Sequence, residues 1–131
     1  QLEVGTSASD FEFLPYDVNR YRCLRYYEQY DYNENARYMC SAGGQSSAQV
    51  EGVFPYEVEK RATPTLSTSG ANFELVSFGG GSTQTNKNLV FDGQTTKQTL
   101  LYNNALSGQN AGGYGRIKIL SGGSLYIDAE L

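Results

Sequence analysis

The sequence predicts an all-β chain, an antiparallel two-sheet β-sandwich of jelly-roll-like type with at most one short N-terminal helix. Its apolar content is concentrated in 11 Tyr and 6 Phe rather than in Leu-rich or Ala-rich runs, and aromatic residues suit pleated, half-buried surfaces. Fifteen Gly, with abundant Ser, Thr and Asn, supply turns and break helices. Short alternating segments recur without a long helical period, so about eight strands separated by turn-rich loops are expected. A length of 131 residues is one domain's worth of chain. No internal repeat is apparent, which weighs against a propeller or a β-helix.

Residues 1–15 lack a sustained period, contain Gly5, Ser7 and Ser9 and end at Pro15, so they read as a linker from an upstream module, with 16–131 as the sandwich domain. Phe11 and Phe13 alternate with polar neighbours and would pin that linker as a short edge strand. Asp17 could cap a helical turn in which Val18, Tyr21 and Leu24 share a face. From about Cys23 the period becomes two: Leu24, Tyr26, Glu28, Tyr30 and Tyr32 alternate with Arg25, Tyr27, Gln29 and Asp31. Turn formers at 31–35 suggest a hairpin tip, with 37–42 returning as the partner strand. Gly43, Gly44, Ser46 and Ser47 then make a loop.

Strands follow at 50–58, demoted in part by Pro55, at 62–68, at 73–78 and, as a brief buried strand, at 89–91. Gly79, Gly80, Gly81 and Ser82 form the clearest loop, and Asp92-Gly93 is a strong turn dipeptide. Residues 95–102 read as strand or as a single helical turn, and 103–113 as a second polar loop. Ile117 and Ile119 flank Lys118, and Leu125 and Ile127 flank Tyr126, around the turn Ser121-Gly122-Gly123-Ser124. That pattern predicts a closing hairpin.

The chain contains no His, which removes the commonest general base and transition-metal ligand and excludes Ser-His-Asp and Cys-His catalysis. Net charge is -4, and Arg20, Arg22 and Arg25 are too few and too dispersed to neutralise a phosphate backbone, so no nucleic-acid partner is expected. They read instead as solvated or inter-chain ion pairs. No apolar run approaches the roughly 18 residues of a membrane span, and membrane insertion is not expected. Beginning at Gln1 without Met, the chain reads as an excised domain or the C-terminal piece of a longer polypeptide. Cys23 and Cys40 would not face each other across the first hairpin, and two free, buried thiols are expected.

A carboxylate pair for glycoside hydrolysis would draw on Glu28, Asp31, Glu34, Glu57 or Glu59. These fall on alternating strands or a turn tip, where acidic residues normally face solvent, and no enzymatic activity is expected. Asp31, Asn33 and Asn35 match the first half of a Ca²⁺ loop, but Ala36 replaces the required Gly and Ala42 the closing acid. No metal and no cofactor is expected. The Gly-rich stretches at 79–81 and 112–113 lack the Lys-Ser/Thr and helix of a phosphate loop.

Gln1, Leu2, Glu3, Gly5 and Ala8, then Phe11 and Glu12, then Cys23, Arg25, Tyr26 and Tyr27, and later Arg61, Ala62, Pro64 and Thr65 form an ordered set of short motifs. In this set the chain resembles the C-terminal receptor-binding knob domain of tail fibres and related structural proteins of tailed bacteriophages. Leu24 stands where that pattern usually has Gln, and Lys60 where it usually has Met. The closing Asp128-Ala129-Glu130-Leu131 looks like the family's C-terminus, while 66–127 match in style only. The resemblance implies a non-enzymatic virion adhesin at the tip of a tail fibre, made in the host cytoplasm and acting extracellularly. Its implied partners are two further copies in a homotrimer, the upstream fibre module, and a host cell-surface glycan or other envelope receptor.

Tyrosine rings stack on sugar faces and their hydroxyls reach the rims. Tyr30, Tyr32, Tyr102 and Tyr114 lie near Asn33, Asn35, Asn103, Asn104 and Asn110, and these nine are the candidate ligand-binding residues. Two other roles compete with the adhesin: a structural domain that trimerises or caps a fibre, and a carbohydrate-binding module of a secreted enzyme.

Overall fold

The computed structural model describes residues 13–32, 37–69, 72–77, 83–104 and 106–130. Within them one helix, α1 (Tyr16–Leu24), precedes ten strands: β1 (Tyr27–Tyr32), β2 (Arg37–Gly44), β3 (Val50–Pro55), β4 (Thr65–Ser69), β5 (Phe73–Ser77), β6 (Gln84–Lys87), β7 (Val90–Asp92), β8 (Gln98–Asn103), β9 (Tyr114–Ile119) and β10 (Gly123–Asp128). They form two antiparallel sheets, one of three strands in the order β1-β10-β4 and one of seven in the order β6-β5-β9-β2-β3-β8-β7. The expected all-β sandwich is therefore present, with its strands divided unevenly.

Alternation explains the core. Ile117 and Ile119 on β9, and Leu125 and Ile127 on β10, are fully buried, because every second residue of a strand points to the same face. They meet Phe73, Leu75, Phe54 and Leu101 from the larger sheet. The Tyr30 ring closes on Phe54 edge-on, with centroids 5.3 Å apart.

Both expected hairpins are overturned. β1 pairs with β10, whereas β2 pairs with β3 and β9, so these consecutive strands lie in different sheets. β9 pairs with β2 and β5, and β10 with β1 and β4, so the turn at 120–123 is a corner between sheets as well. Apolar alternation specifies which face looks inward, and two strands that share an inward face can lie in one sheet or in facing sheets. Gly123 makes this corner tight: a Cβ there would sit 2.9 Å from Ile119 Cγ1 and 3.0 Å from Asn72 Cβ.

Smaller differences have local causes. Residues 56–58 leave strand geometry after Pro55, β6 is a further strand, and β7 is an exposed edge rather than a buried strand. Pro15, with φ -52, takes the N-cap place with no side-chain hydrogen bond, so Asp17 lies in the first turn instead of capping it. No residue of α1 is buried, and Val18 and Tyr21 face solvent rather than a core. Phe13 is exposed and outside any strand; Phe11 lies outside the described residues. Both cysteines are free as expected, but Cys23 is exposed and only Cys40 is partly buried.

The 56–62 segment, which carries the chain from β3 to β4, is tied to the start of β1 by a buried ion pair. Lys60 Nζ donates to Glu28 Oε2 and, at 2.5 Å, to the Leu24 carbonyl, and both side chains are almost wholly buried. Glu28 also accepts the Tyr30 hydroxyl and the Glu57 N–H, the latter at 3.1 Å. The expectation that Glu28 faces solvent is thus wrong, and the reason is Lys60: its ammonium neutralises a carboxylate that alternation directs into the core. Around this pair Lys60 N–H donates to Thr96 O at 2.7 Å and Arg61 N–H to Arg25 O at 3.0 Å.

Removing one member leaves a buried, uncompensated charge, which costs about 3–5 kcal/mol. Lys60→Met is expected to lower stability by that amount in urea denaturation. Lys60→Met with Glu28→Leu is expected to recover only part of it, because Tyr30 and the Glu57 N–H lose their acceptor.

Burial also favours neutral side chains. It pushes the Cys40 thiol up to about 11 and the Tyr56 phenol up to about 12. The Tyr56 hydroxyl is buried without a hydrogen bond of acceptable geometry, although Thr99 lies near enough to offset part of the rise. Tyr30 is raised by burial first and then by its bond to Glu28. These acids hold their protons longer in the folded chain than in the unfolded one, so the associated stability is complete below the ordinary thiol value of 9.0 and is lost as pH rises through about 11. The urea midpoint is expected to be level up to about pH 8.5 and to fall beyond it, and an unchanged midpoint at pH 11 would contradict this.

Candidate functional site

Two loops meet at one end of the larger sheet, 45–49 between β2 and β3 and 106–113 between β8 and β9. The β2–β9 pairing, with Gly43 opposite Tyr114, brings them together. Backbone hydrogen bonds then join them: Gly44 N–H to Gly113 O (2.8 Å), Gly112 N–H to Gly44 O (2.7 Å), Gln109 N–H to Ser47 O (3.0 Å) and Leu106 N–H to Ala48 O (3.1 Å). Leu106 and Gln109 are buried and anchor the second loop from below. The result is a pair of loops held in one arrangement.

Between them runs an open groove of ≈ 760 Å³ lined by Gln45, Ser46, Ser47, Gln109, Asn110, Ala111, Gly112, Gly113 and Tyr114. Tyr114 is 68% exposed, and its cross-strand neighbour Gly43 has no side chain to cover the ring. Glu51, behind the groove, accepts hydrogen bonds from the Gln45 and Gln49 amides, the latter at 3.3 Å, and so orients Gln45. The lining side chains are amides, hydroxyls, one phenol and the Ala111 methyl, a set suited to exchanging hydrogen bonds with a polyol while a ring stacks on its C–H face.

Of the nine sequence candidates, Asn110 and Tyr114 come together here. Tyr30 packs on Phe54 and bonds Glu28; Tyr32 lies against the core, its carbonyl accepting Gly122 N–H at 2.8 Å. Asn103 is buried and donates to Asn88 O at 2.6 Å. Tyr102 is half-buried on β8 and Asn104 exposed just beyond it, neither of them lining the groove. Asn33 and Asn35 fall outside the described residues.

Gln45, Ser46, Ser47 and Gln109 were not singled out in the sequence. The Gly-Gly-Gln-Ser-Ser composition marked a loop, but only the β2–β9 pairing shows that it faces 106–113. Of the carboxylates considered for catalysis, Glu28 and Glu57 are neighbours, Glu28 buried on Lys60 and the Glu57 carboxylate paired with Arg20 at 2.6 Å, while Glu59 approaches Lys97 at 3.9 Å and Asp31 accepts from Gln29. Glu34 lies outside the described residues. Compared with protein families, curated proteins and solved structures, the chain matches none of them.

Gly44 keeps the loops in contact, because a Cβ there would overlap the Asn110 carbonyl oxygen. Gly44→Ala is expected to cost about 1–3 kcal/mol in thermal unfolding and to raise amide exchange selectively across 45–49 and 109–113.

Proposed function

We propose that this chain is a non-enzymatic adhesin domain at the tip of a bacteriophage tail fibre, acting as a homotrimer, and that the groove between 45–49 and 106–113 binds a host cell-surface glycan. The groove's chemistry is the observation that carries the reading: a pre-ordered cleft of amide and hydroxyl groups beside one exposed tyrosine. The motif resemblance supplies the biological setting. Amides such as those of Gln45 and Asn110 can donate and accept at once, matching vicinal sugar hydroxyls, and a site whose loops are already joined loses less conformational entropy on binding.

Among the described residues the lining has no charged side chain, so the reading names neutral sugars rather than sialic acid or phosphorylated residues as the part gripped. Three copies would each bring a weak site, and multivalent engagement raises overall affinity without new contacts.

A glycan array carrying neutral and acidic bacterial surface oligosaccharides tests this. Wild-type protein is expected to retain neutral structures, and Tyr114→Ala to weaken their binding about ten-fold, or roughly 1.4 kcal/mol, with unchanged thermal stability. Shortened products from any saccharide offered would refute the non-enzymatic reading, and binding indifferent to Tyr114→Ala and Asn110→Ala would remove the groove from it.

A further inference from the structure

Helix α1 has nine residues and no buried side chain, yet isolated helices become stable in water only near 12–15 residues. Its C-terminal end is held by the Arg20–Glu57 pair, by Lys60 at the Leu24 carbonyl and by the Arg61 N–H at Arg25 O. Among the described residues the rest has no such cover: Tyr16 is 81% and Tyr21 60% exposed, and Phe13 just ahead of them 85%. Tyr16, Tyr21, Arg22 and Arg25 line one shallow depression of ≈ 680 Å³. Tyrosine and arginine are the residues enriched where protein surfaces bind each other.

Charge identifies the occupant. Arg20, Arg22 and Arg25 against Asp17 give this short segment a net charge of +2, reduced to +1 by Glu57 on Arg20, in a chain whose total is -4. The outer face of the three-stranded sheet has the opposite character. There Tyr27 lies opposite Asp128 and Gln29 opposite Tyr126. The Tyr27 hydroxyl donates to Gln29 Oε1 at 2.6 Å, and Gln29 in turn donates to Asp31. This face carries two tyrosines, is ordered by its own hydrogen bonds, and has two negative charges from Asp31 and Asp128.

We propose that α1 of one copy docks, through Tyr16, Tyr21, Arg22 and Arg25, on the acidic tyrosine face of the three-stranded sheet of a second copy. The two patches differ, so the contact is heterologous, and its repetition closes into a ring where the rotation permits. The contact covers the unburied helix and sets opposite charges against each other. It rests on the homotrimer of the reading above but uses no groove residue: an assembly indifferent to the contact residues removes this contact and leaves the trimer, and loss of glycan binding alone leaves the contact standing.

Sedimentation velocity on the intact chain is expected to show self-association that weakens with salt. Arg22→Glu with Arg25→Glu, and separately Asp31→Arg with Asp128→Arg, should each yield monomer, and all four together should restore association. A wild-type monomer at about 100 µM, far above the dissociation constant of a specific interface, would overturn the proposal. So would an assembly that ignores both reversals. Should a reversal variant fail to fold, Tyr21→Ala, at an exposed position beside Arg22 and Arg25, is expected to weaken association and decides in its place.

Discussion

The buried contact between Lys60 and Glu28 is the constraint on which the rest of the architecture turns. Glu28 sits where alternation requires an inward residue, between the apolar Tyr26-side turn and Tyr30, and a lone carboxylate there would be intolerable. Lys60 resolves this from a segment that is otherwise a connector, and in doing so fixes where β3 hands over to β4. The same ammonium holds the last carbonyl of α1, so helix, first strand and crossover share one anchor. An ion pair of this kind contributes less net stability than apolar packing would. Its consequence here is positional: two sheets that share no strand are held in one relative placement.

Fold class was legible because it depends on local facts. Period-two alternation marked Ile117, Ile119, Leu125 and Ile127 as inward residues, and all four are buried. Pairing was not legible, since it depends on which inward faces meet. The sequence around Ser121 to Ser124 is compatible with a hairpin and with a corner between sheets, and the difference is decided by β1, β2, β4 and β5, far away along the chain. Lys60 shows the same limit: nothing local distinguishes a lysine that will be solvated from one that will meet Glu28.

The candidate site follows this division. Asn110 and Tyr114 were visible as polar and aromatic residues at the rim of a loop, and both line the groove. Tyr30 and Asn103 carry the same chemistry but belong to the interior, because residue type says nothing about which side of a strand faces out once the register is set by distant partners. The opposite wall, Gln45 to Ser47, became meaningful only when β2 and β9 were seen side by side.

β10 lies in the middle of the three-stranded sheet, flanked by β1 and β4. Tyr27 therefore waits for Asp128 and Thr65 for the same residue, so neither earlier strand has its ladder partner until the last strand has left the ribosome. Contacts this distant along the chain delay folding, and nascent chains would carry β1 and β4 as open edges until β10 emerges. For this molecule, the emergence of β10 is the step that permits the smaller sheet to exist.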